Sequence, residues 1–276
     1  MGVCVTYYQC NKNGVVVTDG SDLIDIRLKD GPCPHKDCGW RNPEGVGFRT
    51  TGDRHNEAKF GEFPWMVAII RMEPVNTNDP ATDYINVYVG GGSLIHPSVV
   101  ITAAHIIYEK QGLIIRAGEW DTQTVKEVYP SQDRYVKEVV VHKDFNRGNL
   151  FYDIALLFLQ DPVSLAPNIG VACLPPQGIR TNTGAACLSS GWGKDKFGKE
   201  GTYQVIMKKV EIPVVDRKAC QNSLRKTRLG NFFELHTSFM CAGGEVGKDT
   251  CEGDGGSPLV CPMEFEKDRY MQSGIV

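Results

Sequence analysis

The chain has 276 residues, a formal net charge of −3 and a charged content of 23%. This balance gives no basic field for nucleic acid, and no apolar run approaches the roughly 18 residues that span a bilayer. Ten cysteines predict disulfides and an oxidising, extracellular compartment. The length suits one domain of about 210 to 230 residues with a small additional module.

The first 37 residues form a predicted cysteine-rich module. Cys4, Cys10 and Cys33 lie within it, and a unit this small needs disulfides because it cannot bury enough apolar surface. The stretch that begins at Met1 has no signal peptide, although the cysteine content implies secretion. We therefore expect the natural chain to extend beyond this N-terminus.

The remainder of the chain has the pattern of an all-β barrel or sandwich. Short runs rich in β-branched residues are separated by clusters of Gly, Pro, Asn and Asp, which predicts strands joined by turns. The runs cover residues 65–70, 99–102, 113–117, 136–142, 154–159 and 205–215. One helix is predicted over 216–225, with Asp216 as its acidic N-cap.

Three separated motifs carry the candidate site. The first, GGSLI at 91–95 followed by ITAAH at 101–105, ends on His105. The second, DIALL, begins with Asp153, and the third, CEGDGGSPLVC at 251–261, contains Gly255. An imidazole and a carboxylate are the groups that activate a hydroxyl nucleophile.

Together with Gly191-Trp192-Gly193, these motifs resemble the chymotrypsin/trypsin family in their order and approximate spacing. The resemblance implies an all-β fold with a trypsin-like double six-stranded β-barrel. The stretch 270–276 is similar to a strand that continues into further segments in the family, so we expect the second barrel to be incomplete at the C-terminus.

The resemblance also implies a role for each motif residue. His105 and Asp153 match the general base and its carboxylate, while Gly255 stands where the family has its serine nucleophile. Loss of that nucleophile alone costs about 10⁶ in turnover, so we predict a pseudo-protease without enzymatic activity. His105 and Asp153 would then persist as a hydrogen-bonded pair, because removal of one partner strands the other.

Neighbouring residues in the third motif carry further expectations. Gly253 and Asp254 match the oxyanion loop, and Asp249 matches the acid at the base of a trypsin-type specificity pocket, a trace of an ancestor that cut after Arg or Lys. Ser257 is the alternative nucleophile, which would require the loop to be rebuilt. The competing hypothesis is accordingly a residual trypsin-like serine endopeptidase.

Two other parts of the family's apparatus differ. The junction that is cut during activation in the family reads FRTTGD at 48–53 here. Cleavage after Arg49 would give an N-terminus that begins Thr-Thr-Gly, whereas the family's new terminus begins with a small apolar residue that folds into the protein. The disulfide that brackets the histidine in the family would join positions 90 and 106, which are Gly90 and Ile106 here. Both departures agree with a loss of catalysis, although drift at a structural bridge explains the second equally well.

The disulfide pattern follows from the resemblance. It implies the pairs Cys38–Cys173, Cys187–Cys261, Cys220–Cys241 and, in the N-terminal module, Cys4–Cys33.

The N-terminal 37 residues are similar to a clip module, with a partial match. The segment CGWRNPEGVGF at 38–48 resembles the linker of the non-catalytic clip-domain serine protease homologues of arthropods, of the prophenoloxidase-activating-factor type, or else an ordinary Gly-rich tether. We therefore predict a partial clip-like module at 1–37, a linker and degenerate activation segment at 38–60, and a protease-like domain at 61–276.

This group implies a function. Its members are secreted into haemolymph and act as cofactors in prophenoloxidase activation during innate immune melanisation. The implied partners are prophenoloxidase, its activating serine protease and an upstream protease that processes the cofactor, with no nucleic acid and no membrane. A microbial-surface adhesin acting through the clip module is a third hypothesis.

No cofactor is expected to be required. Glu119 and Asp121 lie in a loop where some trypsin-like proteins coordinate Ca²⁺ through oxygen ligands. A solvated acidic turn is the alternative interpretation of the same two residues.

Overall fold

The structure is a computed structural model that describes residues 38–47, 56–75, 83–124, 127–194, 200–245, 250 and 253–276. The module predicted over 1–37, including the Cys4–Cys33 pair, lies outside the described residues. The predicted activation junction at 48–53 and the pocket residue Asp249 also lie outside them.

Six antiparallel strands close into the first barrel, in the order β1-β2-β3-β6-β5-β4. Alternate apolar residues point inward to a core that includes Ile69, Leu94, Ile115 and Leu157, each fully buried. A short helix, α1, covers Ala104–Ile107 between β3 and β4. The strands are β1 Met66–Pro74, β2 Tyr84–His96, β3 Val99–Thr102, β4 Leu113–Ala117, β5 Gln132–Val141 and β6 Ala155–Leu159.

The second half of the described chain forms an open five-stranded sheet in the order β11-β10-β7-β8-β9. The helix α2, Arg217–Arg225, follows β8, and the Asp216 carboxylate caps it by accepting a hydrogen bond from the Ala219 backbone N–H at 2.9 Å. The all-β, trypsin-like architecture is thereby confirmed, with the second sheet open in the described part. Its strands are β7 Ala186–Gly191, β8 Lys208–Val215, β9 Cys241–Ala242, β10 Pro258–Pro262 and β11 Tyr270–Ile275.

Differences from the predicted elements have local causes. The run predicted at 205–215 enters the sheet only at Lys208, because Val205 and Met207 bond instead to the backbone of Thr122 and Trp120. The strands β2, β7, β9 and β10 were not among the predicted runs. In β7, β9 and β10 the short length and the serines and cysteines weaken the β-branched signal, and in β2 three consecutive glycines at 90–92 interrupt it.

Three disulfides join the elements of the described chain. They are Cys38–Cys173, Cys187–Cys261 and Cys220–Cys241, the three pairs that the resemblance implied for this part of the chain. The second joins β7 to β10 and the third joins α2 to β9. Each disulfide reduces the conformational entropy of the unfolded chain and thereby stabilises the folded state.

The described part of the predicted linker, 38–47, packs on the domain and is not a free tether. Besides the Cys38 disulfide, the Gly39 N–H donates to the Val171 carbonyl and the Gly39 carbonyl accepts from the Tyr270 N–H, both at 2.7 Å. The Arg269 guanidinium lies over the Trp40 ring, 5.5 Å from its centroid. This segment therefore lies along the start of β11, with an isolated β-bridge between Trp40 and Arg269.

A buried carboxylate binds the linker to both halves of the domain. Glu62 is 1% exposed, and it forms salt bridges with Arg41 of the linker and with Lys209 of β8, the latter at 2.9 Å. The Lys59 backbone N–H donates to its other oxygen at 2.7 Å. Arg41 also donates to the Tyr270 hydroxyl at 3.2 Å. The linker and β8 therefore meet at one buried carboxylate in the segment that leads into β1, and Tyr270 joins this cluster through Arg41.

Candidate functional site

His105 and Asp153 meet at the junction of the two sheets. His105 lies in α1, directly after β3, and Asp153 precedes β6, which pairs with β3 in the barrel. The imidazole Nδ1 lies 2.6 Å from Asp153 Oδ2, and the His105 backbone N–H donates to Asp153 Oδ1 at 2.8 Å. The carboxylate thus fixes both the backbone and the ring of the histidine. The other ring nitrogen, Nε2, faces the loop that contains Gly255.

Gly255 faces this nitrogen. A Cβ atom built on Gly255 would lie 3.4 Å from His105 Nε2 and 3.2 Å from Ile106 Cγ2. Since a serine Oγ extends one further bond from Cβ, a serine at this position would bring its hydroxyl within reach of the imidazole. Glycine has only a hydrogen atom in that place. The imidazole therefore has no hydroxyl group from which to accept a proton.

The loop around Gly255 depends on glycine and on one carboxylate. Gly253 and Gly256 have φ angles of 98° and 84°, which L side chains rarely adopt. Asp254 Oδ1 accepts a hydrogen bond from the Gly193 N–H at 2.9 Å, and its backbone carbonyl accepts from the Ser257 N–H at 2.9 Å. Asp254 therefore points into the protein, away from the imidazole.

Ser257 has an environment unsuited to attack on a substrate. Its side chain is fully buried, and its Oγ has no hydrogen-bond partner among the described residues. The Oγ lies against Gly91 of β2, and a Cβ built on Gly191 would come 3.0 Å from it. The hydroxyl packs between the two sheets, whereas His105 Nε2 faces Gly255.

Ile106 fills the space beside the glycine loop. A Cβ at Gly90 would lie 2.5 Å from Ile106 Cδ1, and a Cβ at Gly256 would lie 2.8 Å from the same atom. The isoleucine is 8% exposed and belongs to the barrel core. The two positions where the family has cysteines are therefore in contact here, with an apolar side chain packed against a glycine.

This contact predicts a cost for adding a methyl group. Gly90→Ala is expected to lower the free energy of unfolding by about 1–3 kcal/mol, as overpacking of a filled core does. The new Cβ would meet the Gly255 carbonyl oxygen at 2.7 Å, a backbone atom that cannot rotate away. The control is Gly148→Ala, because Gly148 is exposed, its φ angle lies outside the left-handed region and a Cβ there would meet only Asn146 Oδ1, at 3.3 Å. Denaturant melts of the two variants separate the clash at Gly90 from the general effect of replacing glycine by alanine. Equal melts of Gly90→Ala and wild type would contradict it.

An aromatic cluster lies beside Asp153, and no motif in the sequence predicted it. The Phe151 ring stacks on His236 at 3.8 Å between centroids, and the Tyr152 ring stacks on His142 at 4.7 Å. Tyr152 has a φ angle of 53°, in the left-handed region that non-glycine residues seldom occupy. These residues come from separate loops, so periodicity gives no signal for them.

The two acids proposed for calcium do not converge. Asp121 Oδ1 accepts a hydrogen bond from the Gln123 N–H at 3.0 Å in a local turn. Glu119 instead lies with Glu127, and the Trp120 N–H donates to both carboxylates, at 3.0 and 3.1 Å. Among the described residues no group of three or more His, Cys, Asp or Glu side chains is placed to hold a metal ion.

The Glu119 carboxyl predicts a pH dependence of stability. Burial and the neighbouring Glu127 charge raise its pKa from 4.5 to about 7. Between these values the folded state binds more protons than the unfolded state, so the free energy of unfolding falls as the pH rises from 4.5 to 7. Glu119→Gln should remove this fall and make the protein more stable than wild type at pH 8, by on the order of 1 kcal/mol.

Thermal melts from pH 4.5 to 8 test this, with the exposed Glu138→Gln as control. Parallel curves for wild type and Glu119→Gln would contradict it.

The fold and the site define a class. A closed six-stranded barrel, a second β-sheet and a His–Asp pair at their junction form the framework of a trypsin-like serine protease, here with glycine facing the imidazole. Residues 53–276 match the trypsin family model, and residues 1–38 match the model for the serine protease clip domain PPAF-2. The chain belongs to the trypsin family, among the members that carry a clip domain.

Named relatives place the chain within this family. It is 69% identical over 239 residues to phenoloxidase-activating factor 2 of Galleria mellonella, covering 87% of this chain and 79% of that protein. It is 41% identical over 240 residues to the inactive CLIP domain-containing serine protease A8 of Anopheles gambiae, covering 87% of this chain and 63% of that protein. It is 39% identical over 261 residues to the inactive CLIP domain-containing serine protease A28 of the same organism, covering 94% of this chain and 65% of that protein.

The chain thus spans less than two thirds of the two mosquito proteins. The described part contains no helix with the length and apolar character needed to cross a membrane.

Proposed function

We propose that this chain is a catalytically inactive serine protease homologue that acts as a binding and scaffolding protein. The observation that carries the proposal is the 3.4 Å between His105 Nε2 and the position that a Cβ of Gly255 would occupy. The place from which a serine would attack a carbonyl holds no side chain. His105 and Asp153 then serve as a structural hydrogen-bonded pair, and Asp249 is a trace of an ancestral specificity pocket.

Gly253 and Asp254 would be the remnant of the family's oxyanion loop, in which Asp254 Oδ1 accepts a hydrogen bond from the Gly193 N–H. Two neighbouring features support the loss of catalysis. The buried Ser257 hydroxyl packs away from the imidazole. Ile106 crowds the space that a serine Cβ at position 255 would need. The names of two relatives, which call those proteins inactive, agree with this proposal.

The biological role that we propose is that of a secreted cofactor in prophenoloxidase activation, in the haemolymph, during innate immune melanisation. One relative is named a phenoloxidase-activating factor, and the disulfides suit an oxidising compartment. A rigid, disulfide-bonded domain without a nucleophile can hold a protease or its zymogen without cleaving it. Its partners would be prophenoloxidase, the activating serine protease and an upstream protease that processes the cofactor.

Reconstitution tests this role. The full-length protein, processed by its upstream protease, is added to prophenoloxidase and the activating protease, and phenoloxidase activity is measured. We expect an increase that depends on the concentration of the added protein. Activity equal to that of the zymogen and protease alone would rule the role out.

One observation favours the alternative of a residual trypsin-like endopeptidase. The His105–Asp153 pair has the 2.6 Å contact that a working general base requires. Such an enzyme would need Ser257 to leave its buried position and reach the imidazole. Steady turnover of an arginine amide substrate would favour this alternative.

The calcium hypothesis at Glu119 and Asp121 stays a prediction with a simple test. Hard oxygen ligands suit Ca²⁺, which takes six to eight of them, and Glu127 adds a second carboxylate beside Glu119. Melting temperatures in excess CaCl₂ and in EGTA, for wild type and Glu119→Gln, measure any binding to the folded state. A rise in calcium that Glu119→Gln abolishes would support the hypothesis, and equal melts of the wild type in both buffers would overturn it.

A further inference from the structure

The segment 217–232, which comprises α2 and the loop after it, carries a local charge opposite to that of the whole chain. We call it the basic segment. Its five cationic residues are accompanied by no Asp or Glu, whereas the chain has a formal net charge of −3. The cationic residues are Arg217, Lys218, Arg225, Lys226 and Arg228.

Three of these cations present their charge to solvent. Lys218, Lys226 and Arg228 are exposed. Within the described part of the chain, none of the three forms a salt bridge. Asp216 and Glu234 flank the segment in sequence, but the three cationic groups form no direct ion pair with a described carboxylate, so their charges can act on an approaching anion.

An aromatic side chain stands at the end of the same segment. Phe232 is 98% exposed, and Leu229 close to it is 42% exposed. A fully exposed phenylalanine contributes nothing to the core, and aromatic residues beside arginines are the usual anchors of protein interfaces. The basic segment thus combines an apolar anchor with a rim of positive charge.

The other two arginines hold the anchor loop in place. Arg217 Nη1 donates to the Phe239 carbonyl at 2.8 Å and its Nη2 donates to the Leu235 carbonyl. Arg225 Nε donates to the Phe233 carbonyl at 2.8 Å. Because these bonds fix the backbone on the C-terminal side of Phe232, less conformational entropy is lost when the anchor is bound. A preorganised anchor suits a shaped pocket in a folded protein better than a fluid lipid surface.

We propose that the basic segment is a docking surface for a protein partner that presents an apolar pocket within an acidic rim. Phe232 fills the pocket, and Lys218, Lys226 and Arg228 face the acidic rim. This inference rests on the proposed scaffolding function and assigns a surface to it. The surface lies on α2 and its loop, so it can be altered without touching His105 or Gly255.

Two variants test the surface, each with a matched control. The first replaces Lys218, Lys226 and Arg228 by serine, and its control replaces the exposed Lys137, Lys143 and Lys267, which changes the net charge equally. The second is Phe232→Ser. Its control is Phe265→Ser, because Phe265 is 101% exposed but lies between Glu264 and Glu266.

Binding of the full-length processed protein to immobilised prophenoloxidase and to the immobilised activating protease is measured by interferometry, beside the reconstituted activity. We expect wild type to bind one of them, with affinity that falls as salt is added. Each basic-segment variant should bind that partner at least tenfold more weakly and lose stimulation in proportion. Both controls should stay within twofold of wild type.

The outcomes separate this inference from the function on which it rests. Wild type that stimulates activity, with both basic-segment variants equal to it, would overturn the docking surface alone. Wild type that neither binds nor stimulates would overturn both. Binding of wild type to phosphatidylserine vesicles, lost in the variants while binding to both proteins is unchanged, would assign the surface to lipid and overturn the proposal.

Discussion

Replacement of Glu62 by glutamine is expected to lower the free energy of unfolding by about 3 kcal/mol. Removal of one partner from a buried ion pair leaves the other charges uncompensated, which costs about 3–5 kcal/mol. The lower end applies because the side chains of Arg41 and Lys209 are still 16% and 24% exposed to solvent, which partly screens their charges. In a domain of this size the melting temperature should fall by roughly 6–12 °C.

The control for this prediction is Glu44→Gln. Glu44 pairs with Lys59 at 3.1 Å, but its side chain is 73% exposed, so its removal should change the stability by less than about 1 kcal/mol. Equal melts of the two variants would show that the charge at Glu62 does not hold the linker to the domain. A double variant with Arg41→Met should cost less than the sum of the two single changes, because both disrupt the same cluster.

Gly255→Ser is expected to give the largest change in reactivity. A serine at this position places a hydroxyl beside His105, whose ring Asp153 already orients. Since loss of the nucleophile costs about 10⁶ in turnover, covalent capture by a fluorophosphonate probe should rise by several orders of magnitude above the wild-type background. Mass spectrometry should locate the label on residue 255.

Crowding by Ile106 should limit this gain. The new Cβ would lie 3.2 Å from Ile106 Cγ2, a distance that forces one of the two side chains to shift. Adding Ile106→Ala to Gly255→Ser should therefore raise the rate of capture about tenfold, which corresponds to roughly 1.4 kcal/mol of relieved strain. Ser257→Ala in the same background is the control and should leave the rate unchanged. Labelling that disappears with Ser257→Ala would contradict the assignment of position 255.

Individual strands could be predicted because their signals are local, whereas the barrel and the His105–Asp153 pair were expected from the family resemblance. β3 and β4 coincide with the predicted runs 99–102 and 113–117, since short β-branched segments bounded by turns leave little choice of structure. The helix α2 begins one residue after its predicted cap, Asp216, as capping chemistry requires. In these cases the pattern and the packing favour the same conformation.

Features that depend on long-range contacts could not be predicted. Arg41, Glu62 and Lys209 are far apart in the sequence and meet only because the linker folds back on the second sheet. The pairing of Glu119 with Glu127, in place of Asp121, depends on a turn whose geometry the acids themselves do not determine. Gly90 and Ile106 both differ from the family's pattern, but nothing in the sequence indicates that the isoleucine packs against the glycine.

The most direct test of the central claim uses the wild-type chain after processing. The protein is incubated with a serine-directed fluorophosphonate probe and, separately, with an arginine amide substrate, with an active trypsin as positive control. The absence of a nucleophile at position 255 predicts no covalent label on any residue and no turnover above the buffer blank. A label on Ser257, or steady turnover that the probe abolishes, would show that the chain is an enzyme and contradict the proposed function.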